Sequence, residues 1–422
     1  MRLSKTILVY ADWVEIGKPT LMGKLRVEPG REEVFSFTYD TAWLASAWSR
    51  QLDPDLQLFH GPQYPREGKA NFGIFSDSAP DRWGRMLMQR KESYEAELEG
   101  RSVRKFRESD FLLGVPDLTR MGALRFKGTP AGPFLDDNTG LAAPPIAQLR
   151  ELEAASLHLE EKDAESKKNY ADWIKLLFAP GSSLGGARPK ASVIDPSHNL
   201  WIAKFPSKED ANDTGAWEAV VNQLAKAAGL NVADGEAVRL TARHHTYLTR
   251  RFDRDATGGR VHFASAMTLL GRTDGQDGST GVSYLHLAEF IQRIGARPNE
   301  DMAELWRRIV FNICISNSDD HLRNHGFLLT PSGWVLSPAY DINPVPEAEY
   351  LRLNISEDDG RMSFALALSV AEQFRVNQKD AKAMLATIQS NVANWKKYAE
   401  KSGITRAGIS QMAPAFSLDG KD

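Results

Sequence analysis

The stretch Asn317–Asp341, NSDDHLRNHGFLLTPSGWVLSPAYD, decides how the rest of the chain is read. It sets Asp319 five positions before Asn324, then a turn between two short apolar runs, then Asp341. Phosphoryl transfer from a metal-bound nucleotide calls for these side chains in this order. One Asp accepts the proton of the attacking hydroxyl. An Asn on the same loop ligates Mg²⁺, and a second Asp beyond a β-hairpin ligates the metals that bridge the phosphates.

A plainer reading stands beside it. Asp and Asn are ordinary turn residues, and S-N-S-D-D followed by T-P-S-G also fits two loops around a hairpin. The D-x-x-x-x-N spacing matches a kinase catalytic loop. Asp341-Ile342-Asn343 stands where D-F-G would stand, in role and not in letters. His321 and His325 are four apart, which would suit a metal pair on a helix, but Asn324 and Gly326 argue for a loop there.

Composition narrows the field. A chain of 422 residues with 42% apolar content can bury a large core, in two or three domains or subdomains. A net charge of −3 argues against a dedicated nucleic-acid binder. The single cysteine, Cys314, lies in the apolar run IVFNICIS and reads as a buried structural residue. The opening MRLSKTILVYADW reads as a strand and not a signal peptide, and no apolar run is long enough for a membrane span. The expectation is a cytoplasmic protein without a membrane partner.

Four segments follow. Residues 1–127 read as a β-rich N-terminal subdomain, with strands at Ile7–Tyr10, Lys24–Val27 and Val34–Tyr39. Helices are expected from Thr41 through Trp48 and from Ser78 or Pro80 onward. Residues 128–148 are a Gly/Pro/Asp-rich linker. Residues 149–253 form a mixed α/β nucleotide-binding lobe, and 254–422 a helical catalytic C-lobe. That lobe has helices at Tyr284–Ile294, Asn299–Ser316, Met362–Val370 and Lys379–Lys401.

The second informative stretch is PGSSLGGARPKASVIDPSHNLWIAKFPSKED. Gly185-Gly186-Ala187 forms a small-residue loop, and backbone N–H groups in such a loop can approach phosphate oxygens. Lys204, on the strand Leu200–Phe205, would place a point charge at the phosphates, and Glu218 on the following helix is its candidate acidic partner. The plainer alternative is a glycine hairpin with an exposed Lys at a strand end.

Taken in order, SSLGGARPKA, WIAKFPS, TRRFDR, NSDDHLRNHGFLL and LSPAYDINP resemble the HipA family of serine/threonine kinases, the toxins of bacterial toxin–antitoxin pairs. The resemblance is specific over residues 183–343 and looser elsewhere, with Thr119–Leu124 also similar. It implies an α+β, two-lobed protein-kinase-like fold with an N-terminal β-rich subdomain and a helical C-lobe, using ATP and Mg²⁺. Asp319 is then the catalytic base, Asn324 and Asp341 the metal ligands, and Lys204 the phosphate lysine. Gly185, Gly186, Ala187, Arg188 and Lys190 belong to the loop over the phosphates. Arg250 and Phe252 lie on the adenine side, and His321, Arg323 and Tyr340 flank the nucleotide.

The resemblance also places an inhibitory autophosphorylation site at Ser183, with Ser182 one residue away. It implies a helix-turn-helix antitoxin of HipB type, operator DNA reached through that antitoxin, and an aminoacyl-tRNA synthetase, such as glutamyl-tRNA synthetase, as substrate. The sequence departs from the family pattern at Arg188-Pro189 and at Arg250. Two other readings share the Asp/Asn/Asp layout: a small-molecule kinase of aminoglycoside-kinase type, and an inactive pseudokinase acting as co-repressor.

Overall fold

The computed structural model describes residues 4–137, 142–181, 186–419 and 421. Its internal contacts divide the chain into two units, Met1–Glu209 with Arg250–Ala264, and Asp210–Thr249 with Ser265–Asp422. Each mixes strands and helices, as the α+β expectation requires.

The first unit opens with an antiparallel sheet in the order β3-β2-β1-β4, built from β1 (Lys5–Ala11), β2 (Thr20–Glu28), β3 (Val34–Tyr39) and β4 (Leu124–Lys127). Phe35, Phe37 and Tyr39 alternate inward along β3, and all three are buried. Phe37 packs on Phe75, and Phe75 on Phe126. The helix expected from Thr41 through Trp48 ends at Leu44. Ser46 explains this: its hydroxyl donates to the Trp43 carbonyl at 2.7 Å and accepts from the Trp48 N–H, drawing the backbone into a turn. Neither Ser78 nor Pro80 opens the next long helix. It runs Arg82–Leu98, with Asp81 as its N-cap.

A second antiparallel pair in this unit joins β5 (Lys190–Ile194) to β6 (Leu200–Lys204), with Lys190 opposite Lys204. The segment after β8 (Thr246–Arg250) is fixed by a buried ion network. Arg251 and Arg254 both reach Asp253 Oδ2, at 2.6 and 2.8 Å. The same oxygen accepts the Gly122 N–H at 2.8 Å, and Arg251 donates to the Thr119 carbonyl at 2.6 Å. The TRRFDR motif and the Thr119–Leu124 turn are thus two halves of one structure.

The second unit holds the antiparallel pair β7 (Gly235–Val238) and β8, then, after the short β9 (Phe263–Ser265) at the boundary, the hairpin β10 (Gly326–Thr330) and β11 (Gly333–Leu336). Its central helix is Pro298–Cys314, whose Met302, Leu305, Trp306, Ile309, Val310 and Ile313 are all buried. Trp306 donates its indole N–H to the Ala367 carbonyl, and Trp217, Trp395 and Phe416 stack as a second apolar cluster. Cys314 is buried as expected, its thiol pushed up by burial to about 12. The helix expected over Lys379–Lys401 is two, Gln378–Val392 and Trp395–Lys401. At the break the Asn391 and Asn394 amides bond back to the Thr387 and Ser390 carbonyls. Among the described residues no helix is long and apolar enough to cross a membrane.

Burial alone would raise the Asp253 carboxyl, but Arg251 and Arg254 outweigh it and hold it well below the usual carboxylate range. Its stabilising contribution is therefore present above the unfolded value of about 4 and is lost as pH falls below it. Asp253→Ala is expected to lower unfolding free energy by about 3–5 kcal/mol, because it leaves buried guanidiniums uncompensated. Denaturant unfolding from pH 7 down to pH 3 checks both statements: the deficit of the variant relative to wild type should shrink as the pH falls.

Candidate active site

The second unit carries the loop quoted at the outset. It leaves the helix Pro298–Cys314 through Ser316, which takes a left-handed backbone (φ 52°). The Ser316 hydroxyl donates to the Ala415 carbonyl and accepts from the Lys421 ammonium, each at 2.9 Å. Asp319 is then exposed, whereas Asp320 beside it is buried. The Asp319 carbonyl accepts the His321 N–H at 2.9 Å and the Asn324 side-chain N–H at 3.0 Å. Asn324 sits on a single 3-10 turn, Leu322–Asn324. Its Nδ2 is committed to Asp319, which leaves its Oδ1 as the atom to offer a cation. The five-residue spacing thus closes a ring in which the expected base and the expected metal ligand are mutually fixed.

His321 and His325 do not form the metal pair that their spacing allows. His325 lies on extended backbone at the entry to β10, and its Nε2 faces Asp320 at 3.0 Å. Tyr340 donates its hydroxyl to the Arg323 carbonyl at 2.7 Å, so two nucleotide-flanking candidates tie the two ends of the motif together. Arg323 lies 3.7 Å from Asp274 of the polar loop at 271–281.

Asp341 is exposed and has φ 58°. A left-handed Asp is uncommon and persists where its surroundings over-determine it. Here they do. The strand before it is held by Arg308, which donates to the Ser337 carbonyl at 2.6 Å and pairs with Glu304 at 3.1 Å. Glu304 in turn accepts the Asn231 N–H, and Asn231 accepts the Ala339 N–H at 2.8 Å.

The chemistry of the two candidates would suit a hard divalent cation, with a carboxylate from Asp341 and an amide oxygen from Asn324. No group of three or more His, Cys, Asp or Glu that could hold a metal lies among the described residues. A cation here would take its remaining ligands from nucleotide phosphates and water, as Mg²⁺ commonly does. The side-chain oxygen of Asn343 and the Nδ1 of His321 are buried with no hydrogen-bond partner among the described residues, as fits a site completed by a ligand.

In the first unit, Ser182, Ser183 and Gly185 lie outside the described residues. Gly186 has φ +81°, and a Cβ there would come 2.7 Å from the Lys190 ammonium. Asp81 accepts the Gly186 N–H, and Trp83 donates its backbone N–H to the Gly186 carbonyl and its indole N–H to that of Lys190. Ala187 is exposed, and Arg188 donates to the Phe205 carbonyl at 3.0 Å. Lys190 and Lys204 are both buried and directly opposed across β5 and β6. Arg250 donates to Asn199 at 2.7 Å, and Phe252 packs on Phe263. Glu218 is buried on the helix Thr214–Ala227 of the second unit.

Asp320 was missed by sequence reasoning. Its Oδ2 accepts from Tyr284, Asn312 and His325. Burial alone would raise its carboxyl, and the His325 ring and the Tyr284 hydroxyl outweigh that and hold it below its usual range. The signal available was the doubled Asp of S-D-D-H directly after an apolar helix.

The fold is α+β and kinase-like. The comparisons agree. The family model for the HipA-like C-terminal domain matches residues 182–396, just over half of the chain, and the chain belongs to the HipA family. It is similar to Y4mE of Sinorhizobium fredii (32% identical over 148 residues, 33% of this chain and 33% of that protein). It is also similar to the serine/threonine-protein kinase toxin HipA of Shewanella oneidensis (28% over 143 residues, 30% and 33%). The chain spans about a third to a half of the curated relatives it matches. Among solved structures it resembles the Shewanella oneidensis HipA of a HipA, HipB and operator DNA complex, with TM-score 0.63 and 18% identity over 97% of this chain and 95% of that one.

Replacing Asp341 tests the backbone argument apart from any activity. Asp341→Gly is expected to leave the unfolding midpoint unchanged or higher. Asp341→Val is expected to cost about 1–3 kcal/mol, since a β-branched residue is strained at φ 58°. Thermal and denaturant unfolding of the two variants give the comparison.

Proposed function

We propose that this chain is a Mg·ATP-dependent serine/threonine-protein kinase, the toxin of a HipBA-type toxin–antitoxin module. The observation that carries the proposal is the ring in which Asn324 fixes the carbonyl of an exposed Asp319, with the left-handed Asp341 following the hairpin. The name of the Shewanella oneidensis toxin supports serine/threonine specificity, and HipB in the complex of its structural relative supports a helix-turn-helix antitoxin as partner. We propose further that the substrate is an aminoacyl-tRNA synthetase, that operator DNA is reached through the antitoxin, and that phosphorylation of Ser183 switches the kinase off. The added charge of about −2 beside the triphosphate would displace the glycine loop. The division at 127, 148 and 253 is kept as the proposed modular plan, and the cytoplasm as its place.

In this reading the Asp319 carboxylate takes the proton of the substrate hydroxyl as its oxygen attacks the γ-phosphorus. The bond to the β–γ bridging oxygen breaks, and ADP leaves in line. The family resemblance gives the phosphates to Lys204 and Lys190 and the base to Arg250 and Phe252, whereas the Gly186 N–H is already taken by Asp81. Asn324 and Asp341 would hold Mg²⁺, which supplies charge neutralisation across the phosphate oxygens when bound.

Asp319→Ala is expected to lower phosphoryl transfer by roughly 10²–10⁴-fold while leaving ATP affinity within a few-fold of wild type. The test is incubation with Mg²⁺ and γ-labelled ATP, with mass spectrometry of the protein and of added synthetases. Near-full transfer by the variant would remove Asp319 from the chemistry. Transfer to a small alcohol without any phosphoprotein would favour the small-molecule kinase.

A further inference from the structure

The loop that carries Asp319 is held by a residue that the transfer chemistry does not use. We infer that Asp320 is a positioning residue that fixes the geometry of Asp319 and Asn324. The inference rests on the kinase reading for its activity readout only.

Asp320 is 5% exposed, and one of its oxygens serves three donors: the Tyr284 hydroxyl at 2.6 Å, Asn312 Nδ2 at 2.7 Å and His325 Nε2 at 3.0 Å. These donors come from three elements. Tyr284 is the first residue of the helix Tyr284–Ile294, Asn312 lies in the last turn of Pro298–Cys314, and His325 leads into β10. Asn312 extends the hold backward, because its side-chain oxygen accepts from Asn317 Nδ2 at 3.1 Å and its carbonyl accepts the Asn317 N–H. Asn317 precedes the loop and His325 closes it, so one buried carboxylate fixes both stems.

Between these stems the Asp319 carbonyl collects the His321 N–H and the Asn324 amide, and the Asn324 N–H returns to the His321 carbonyl at 2.8 Å. Exposed Asp319 and buried Asp320 thus divide the work, one presenting a carboxylate to a substrate and the other anchoring the backbone. An apolar residue at 320 would leave three donors facing nothing, and an amide would meet them with one neutral oxygen in place of a carboxylate, weakening all three bonds.

Asp320→Asn in the full chain is the direct test. It is expected to lower kcat for phosphoryl transfer by at least about tenfold with KM for Mg·ATP within about threefold, since small misplacements of a reacting group cost rate more than binding. Amide exchange at His321 and Asn324 should quicken in the same variant. Adding Asn312→Asp restores an acid–amide pair in the reverse sense, and should recover part of kcat and slow the exchange again. Tyr284→Phe removes one donor, carries the test if Asp320→Asn does not fold, and should give a smaller kcat loss at unchanged KM. Wild-type kcat and exchange in Asp320→Asn would overturn the inference. So would a kcat loss that follows the thermal midpoint alone and is not relieved by Asn312→Asp. If the wild-type chain transfers no phosphate, the kinase reading fails and the exchange data alone decide the role of Asp320.

Discussion

The Asn317–Asp341 segment of this chain depends on burying one carboxylate. An ionised Asp in a protein interior is tolerated only when donors replace the water it has lost. Asp320 obtains them from a tyrosine, an asparagine and a histidine on three different elements. That requirement constrains the helix Tyr284–Ile294, the helix Pro298–Cys314 and the start of β10 to meet at one point. Ser316, left-handed and bonded to Lys421 and Ala415, then turns the chain from the helix into the loop. Burial has pushed the Lys421 ammonium down to about 8, consistent with a group chosen for its three donors at a crowded stem.

Asp341 is subject to a different constraint. Its backbone is uncommon for a residue with a Cβ, and the cost falls on a segment that Arg308, Glu304 and Asn231 hold in place. The helix that leads into the Asp319 loop therefore also supports the second metal-ligand candidate, through side chains one and two turns before Asn312. A single rigid helix with Asn312, Arg308 and Glu304 on it serves both halves of the motif. This explains why polar residues interrupt an otherwise apolar helix.

Much of this was legible in the sequence where local chemistry decides. Val34–Tyr39 is a strand because Phe35, Phe37 and Tyr39 alternate, and Tyr284–Ile294 is bounded by the Ser283 capping box and by Gly295. The spacing marked Asp319, Asn324 and Asp341 as candidates, and the family resemblance supplied their expected roles. Side-chain competition with the backbone was not legible: Ser46 ends a helix after one turn, and Asn391 and Asn394 split another. Nor was the choice between two adjacent aspartates, which depends on donors brought from distant sequence. Asp81 as a helix cap that also accepts the Gly186 N–H is of the same kind, because its second partner lies 105 residues away.

The central claim is that Asn324 and Asp341 hold a divalent cation with a nucleotide beside Asp319. Titrating isotope-labelled protein with Mn²⁺ and a non-hydrolysable ATP analogue tests it without relying on turnover. The account predicts that paramagnetic broadening, dependent on the nucleotide, appears first at residues 319–324 and 341–343, and is lost in Asp341→Ala. Broadening centred elsewhere, or unchanged in Asp341→Ala, would contradict it.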